Sequence, residues 1–119
     1  MTNRPTNARP LSLPHHKLAA YQVALELISI VRRAEVRDPK LRDQAMRAAK
    51  SAALNIAEAS GRVSPADRAR VFAIARGEAM EAAAGVEIAV LAGDADARSF
   101  EECLPVADRL VALLTGLCR

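Results

Sequence analysis

Residues 64–93 read SPADRARVFAIARGEAMEAAAGVEIAVLAG, and this stretch is the strongest indication of the fold class. Ser64 is a residue type favoured at a helix N-cap, and Pro65 suits the first helical position. Alanine, the best helix former, is the commonest residue up to Gly93, which suits the end of a helix. The stretch therefore predicts one long helix over residues 65–92, with a length of about 42 Å.

The second half of this third helix lacks a polar side. Between Ala79 and Ala92 the only charged residues are Glu81 and Glu87. Their side chains point about 120° apart on a helix, so they do not form one hydrated face. A helix on the outside of a monomeric bundle needs such a face. The sequence therefore predicts that another subunit covers this helix, and hence that the protein is a homo-oligomer with the third helix in the interface.

Two helices are predicted before this stretch. Apolar residues at spacings of three and four predict a first helix over residues 17–34. Asp38 and Pro39 repeat the start signal of an N-cap followed by proline. The second helix is then predicted over residues 39–59, and Gly61 can form its C-terminal cap.

The start of the fourth helix is left open by the sequence. Ser99 and Glu102 have the spacing of a capping box, which predicts a helix start at this point. Pro105 follows six positions after Ser99, and a proline inside a helix breaks or kinks it. Two alternatives remain, namely a kink near Cys103 and a helix that begins at Pro105.

The overall composition favours an all-α protein. The 119 residues include 26 alanines but only three aromatic residues, which disfavours a β-sandwich or barrel. Four helices with short connections predict one domain over residues 16–119, an antiparallel up-down-up-down four-helix bundle. Residues 1–15, with three prolines and no acidic residue, predict a flexible basic arm. Neither a signal peptide nor a membrane-spanning run is found, which favours a cytoplasmic protein without membrane contact.

Five polar residues form a row along one side of the second helix, and Glu81 on the third helix is grouped with them. The residues of this polar seam are Gln44, Ser51, Asn55, Glu58, Arg62 and Glu81. One interpretation is a catalytic site, with Glu58 as an acid or base and Asn55 orienting it. The other is a hydrogen-bonded structure that fixes helix register or a subunit contact. No nucleophile or set of metal ligands accompanies the row, so the structural interpretation is preferred.

Other residues that could carry chemistry are not arranged for it. His15 and His16 are adjacent on the predicted arm, which does not suit a shared metal ion. Cys103 and Cys118 lie about 22 Å apart along one helix, too far to form a disulfide. No glycine-rich phosphate loop is present. The sequence therefore predicts no enzyme activity, no metal, no cofactor and no small-molecule substrate.

Charge is distributed unevenly along the chain. Residues 1–76 carry a net charge of +8, whereas residues 77–119 carry −5. Five cations on the second and third helices are candidates for phosphate contacts with nucleic acid: Lys40, Arg47, Lys50, Arg68 and Arg70. The alternatives are an ordinary hydrated surface, or opposite charges that meet between subunits. In those cases the protein would be a protein–protein scaffold that binds no nucleic acid.

Three short motifs resemble a known family. They are Tyr21-Gln22-x-Ala24, Ser51-x-x-x-Asn55-Ile56-Ala57-Glu58 and Phe72-x-x-Ala75-x-Gly77-x-x-x-Glu81. Together they resemble the four helix bundle protein family, also described as the ribosomal-RNA intervening-sequence protein family, over residues 17–117. The chain departs from the family pattern at Ala59, where Gly is usual, and at Glu78, where Ser is usual.

The resemblance implies an assembly and a partner. It implies an antiparallel four-helix bundle that forms a homopentameric ring, in agreement with the covered third helix. The family also includes the accessory protein of diversity-generating retroelements, a basic pentamer that binds nucleic acid. The resemblance therefore adds RNA or another nucleic acid to the expected partners, beside further copies of the chain itself.

Overall fold

The computed structural model describes residues 11–119, and within them the protein is all-α, with no strand. A 3₁₀ helix at Pro14–Lys17 is followed by four α-helices: α1 (Ala19–Arg33), α2 (Pro39–Ser60), α3 (Pro65–Leu91) and α4 (Ala97–Leu117). Most of the predicted arm lies outside the described residues. Within those residues, no helix has both the length and the apolar character needed to cross a membrane.

Two of the predicted helix starts are confirmed, and a third is wrong. Asp38 Oδ2 accepts a hydrogen bond from the Leu41 backbone nitrogen at 2.9 Å, and Ser64 Oγ accepts one from the Asp67 nitrogen at 3.1 Å. In contrast, α4 begins before Ser99, because Asp96 caps it by accepting from the Arg98 nitrogen at 3.3 Å. A capping box requires a Glu or Gln three positions after the N-cap, but an aspartate can cap a helix without one, as Asp96 does here.

Pro105 lies inside α4, which runs through it from Ala97 to Leu117. The alternative of a helix that begins at Pro105 is therefore wrong. Proline has no backbone N–H, so the carbonyl of Glu101 loses its usual helical partner. Both Pro105 and Glu101 are exposed, which leaves that carbonyl on the solvent side of the helix.

Each α-helix packs mainly against two others. α1 and α3 both pack against α2 and α4, whereas α2 and α4 do not contact each other within the described residues. The centre is filled by large apolar side chains from all four helices: Leu27, Ile56, Val86, Leu110 and Leu114. No polar or charged side chain among residues 11–119 is buried. The interior therefore supports the bundle and offers no enclosed polar site.

The contact between α2 and α3 is made mostly by alanine. Six of the buried residues of α2 and four of those of α3 are alanine. At Gly85 the two helices approach so closely that an added Cβ would lie 2.9 Å from the Cβ of Ala45. Small side chains allow this approach, which explains the high alanine content physically.

The loop between α1 and α2 is bonded to the loop between α3 and α4. The backbone nitrogen of Arg37 donates to the Asp94 carbonyl at 2.8 Å, and its guanidinium donates to the Gly93 carbonyl. Gly93 has a φ of +82°, a conformation that favours glycine. The sequence predicts that Gly93 ends α3, and its positive φ explains why a glycine is needed at this position.

Candidate interaction surfaces

The polar seam divides into separate parts in the structure. The Asn55 side-chain nitrogen donates to the Ser51 carbonyl at 2.9 Å and to its hydroxyl at 3.1 Å. Both acceptors lie one turn earlier in α2, so these bonds remain within one helix. Gln44 near the start of α2 and Glu81 on α3 are both exposed. The six residues therefore do not form one connected network within residues 11–119.

Glu58 and Arg62 belong to a chain of ion pairs at the turn between α2 and α3. Arg62 Nη2 lies 2.6 Å from Glu58 Oε1, and its Nη1 lies 3.3 Å from Asp67 Oδ2. The other oxygen of Asp67 lies 2.9 Å from Arg70 Nη2. We call these four residues the turn network. It connects the end of α2 to the first turns of α3.

The turn network also shifts the pKa values of two of its members. The hydrogen bond from Arg70 and the charge of Arg62 hold the pKa of Asp67 below its ordinary value of 3.8. The hydrogen bond to Glu58 raises the pKa of Arg62. Arg62 lies after the end of α2, and Asp67 was not among the residues predicted for the polar seam. The ion pair between Arg62 and Asp67 joins the end of one helix to the start of the next. A helical projection shows only which residues share a face of one helix, so it does not reveal this pair.

The five candidate cations are spread along α2 and the first turns of α3. Within residues 11–119, three of them take part in no ion pair: Lys40, Arg47 and Lys50, all exposed on α2. The other two are held at the turn, where Arg70 pairs with Asp67 and Arg68 Nη2 donates to the Arg62 carbonyl at 3.1 Å. From the start of α2 to this turn, the 22 residues of the helix span about 33 Å. The structure does not gather the five cations into one compact patch.

Two of these cations border a shallow cavity that also contains apolar side chains. The cavity has a volume of about 530 Å³, and we call its lining the α2 face: Asp43, Met46, Arg47, Lys50, Ser51 and Leu54. Leu54 is 71% exposed and Met46 is half-buried. The α2 face is therefore apolar and basic at once, with Asp43 as its acidic residue.

Large apolar side chains also point outward from α3. Four of these side chains are between 42% and 82% exposed, and we call them the α3 face: Ile74, Met80, Ile88 and Leu91. It lies on the helix that the sequence predicts to be covered by another subunit. Scattered exposed apolar residues are common, but four on one helix are typical of an interaction surface.

A groove runs between α3 and α4 beside the α3 face. It has a volume of about 330 Å³, and its lining, which we call the α3–α4 groove, consists of Met80, Ala83, Ala84, Glu87, Phe100, Leu104, Ala107, Asp108 and Val111. Leu104 is 51% exposed, and the two charged residues of the groove are both acidic. Met80 belongs to the groove and to the α3 face, so the two surfaces are continuous.

A polar cavity of about 480 Å³ lies at the end of the bundle where the two bonded loops meet. Three arginines and three acidic residues line it together with Ala34 and Ser99: Arg33, Arg37, Arg98, Glu35, Asp96 and Glu102. Asp96 caps α4, and the Arg37 guanidinium bonds to a backbone carbonyl. Because opposite charges are equal in number, the cavity favours neither anions nor cations.

Residues that could perform catalysis are separated from one another. The rings of His15 and Tyr21 pack edge to face at 4.6 Å, beside His16. Burial raises the pKa of the Cys103 thiol to about 11, so it stays protonated at neutral pH. No three His, Cys, Asp or Glu side chains in the described part of the chain are placed to hold a metal ion.

Comparison with known families agrees with the resemblance noted from the motifs. A family model described as 23S rRNA-intervening sequence protein matches residues 16–116. No curated protein matches the chain. The matched region includes all four helices except the last residue of α4, together with the surfaces described above. The chain therefore belongs to the 23S rRNA-intervening sequence protein family.

Proposed function

We propose that the protein is non-catalytic and acts through self-assembly, as a homopentameric ring of four-helix bundles whose helices alternate in direction. The α3 face carries this proposal. A monomer would leave four large apolar side chains of one helix in water, and burial of each in a subunit contact is favourable. The family resemblance supplies the number of subunits.

Light scattering coupled to size-exclusion chromatography tests the assembly. The native chain at micromolar concentration is expected at five times the 12.7 kDa mass of one subunit. The double substitution Ile88→Asp and Leu91→Asp is expected to give monomers, because each carboxylate would lose water in the interface at a cost of several kcal/mol. An unchanged helical circular dichroism spectrum would show that the variant still folds.

Val63→Asp is the matched control for this experiment. Val63 is 92% exposed but lies between α2 and α3, away from the α3 face. Like each of the two test substitutions, it places an aspartate at an exposed apolar position, and the variant is expected to assemble as the native chain does. A native chain with the mass of a single subunit would overturn the proposal.

Binding of nucleic acid is the second candidate function. Its support is a net charge of +3, the three α2 cations without ion pairs among residues 11–119, and a family name that refers to 23S rRNA. A gel shift with structured RNA is the test. If Lys40, Arg47 and Lys50 each contact a phosphate, affinity should fall roughly 40-fold between 50 and 200 mM salt. Binding that ignores salt, or no binding, would favour a protein–protein scaffold instead.

A further inference from the structure

We infer that the α2 face of one subunit docks into the α3–α4 groove of a second copy of this chain. The inference rests on the self-assembly proposed above and specifies which surfaces meet. Both surfaces expose large apolar side chains, and their net charges are opposite. Complementary charges of this kind select a partner and fix its position.

The α2 face has the chemistry of a protein contact. Arg47 and Lys50 border the cavity, and the apolar Met46 and Leu54 lie among them. A nucleic acid would use the cations but gain little from an exposed leucine, and the face contains no aromatic side chain on which a base could stack. A partner that matches this face must be apolar and acidic.

The α3–α4 groove is such a partner. Its apolar lining includes Met80, Phe100 and Leu104, and its charged residues are Glu87 and Asp108. The nearest cation along α3 is Arg76, one turn before Met80. Its Nε donates to the Thr115 hydroxyl of α4 at 2.9 Å, so it is already held by a partner. Leu54 can enter the groove while Arg47 and Lys50 meet the two carboxylates.

The positions of the two surfaces allow both to be occupied at once. One surface lies on α2 and the other lies between α3 and α4, and the two surfaces share no lining residue. Every subunit then offers one surface of each kind. A contact between unlike surfaces repeats from subunit to subunit and ends only when a ring closes. Met80, which the groove shares with the α3 face, is covered by the same contact.

Charge reversal tests the docking directly. The variant Arg47→Glu/Lys50→Glu and the variant Glu87→Lys/Asp108→Lys should each give folded monomers. Like charges would then face each other, which is expected to weaken assembly on the order of 100-fold. An equimolar mixture of the two variants should associate again, because each variant restores the charge match for the other. Matched contacts in this mixture must alternate between the two variants, so it should give species larger than a monomer but no closed ring of five. Mass measurement by light scattering reads out all three samples.

The control reverses two cations elsewhere. Arg32→Glu/Arg33→Glu at the end of α1 changes the net charge by the same amount and should leave assembly intact. If the native chain is monomeric, the proposed self-assembly fails altogether. If the native chain assembles and Arg47→Glu/Lys50→Glu assembles equally well, only this docking is overturned. Loss of RNA binding by that assembled variant would assign its two cations to nucleic acid.

Discussion

Gly85 occupies the point at which α3 comes closest to α2. Its missing side chain leaves room for Ala45, and the Cα of Ala45 would itself lie only 3.5 Å from a Cβ added at Gly85. Neither neighbouring atom belongs to a flexible side chain, so the helices themselves would have to move apart. The sequence predicts the helix around Gly85 but not this constraint, because the partner residue is forty positions away.

We expect Gly85→Ala to destabilise the protein. Overpacking costs about 1–3 kcal/mol, and the better helix propensity of alanine offsets about 1 kcal/mol of it. The free energy of unfolding, measured by urea denaturation, should fall by about 1 kcal/mol. Gly116→Ala is the control, because nothing lies within 4 Å of a Cβ at that position. Equal stability of both variants would contradict the close approach.

At the scale of the helices, the sequence identifies the start signals where the cap is unambiguous. Asp38 and Ser64 precede prolines, and both caps were predicted. The start of α4 was misplaced, because Ser99 resembles a cap whereas Asp96 is the residue that accepts the bond. Pro105 suggested a break, but the packing of Cys103 and Ala107 on either side of it keeps the helix in one piece. The burial of Cys103 and Ala107 in the core therefore outweighs the tendency of Pro105 to break the helix.

The turn network makes the stability of the α2–α3 junction depend on pH. Its ion pairs lower the pKa of Asp67 in the folded protein, so this carboxylate stabilises the fold at pH values above its ordinary pKa of 3.8. The stabilisation is lost as the pH falls through the lower, folded-state pKa. We expect Asp67→Asn to lower the melting temperature at pH 7, and the difference from the native chain to vanish at strongly acidic pH.

Glu101→Gln on the exposed side of α4 serves as the comparison for this measurement. It also removes one carboxylate, but it lies outside the turn network. Its melting temperature should follow that of the native chain at every pH. A difference between Asp67→Asn and the native chain that persists unchanged at low pH would show that the ion pairs are not its cause.

At the scale of the whole molecule, the sequence revealed the all-α fold and the missing polar side of α3. Both depend on composition and on order along one helix. The α3–α4 groove could not be foreseen, because Leu104 and Met80 become neighbours only when the bundle is assembled. Likewise, charge alone suggested Arg47 and Lys50 as phosphate ligands. The exposed Leu54 beside them, visible only in the structure, changes the expected partner.

The alanine contact between α2 and α3 has a consequence for how the molecule opens. An alanine side chain has no rotamers to lose on burial, and only residues 61–64 separate the two helices, so forming their contact orders little of the chain. The two helices can therefore form and open as one cooperative unit. The last structure to survive in the unfolding chain should be this pair of helices.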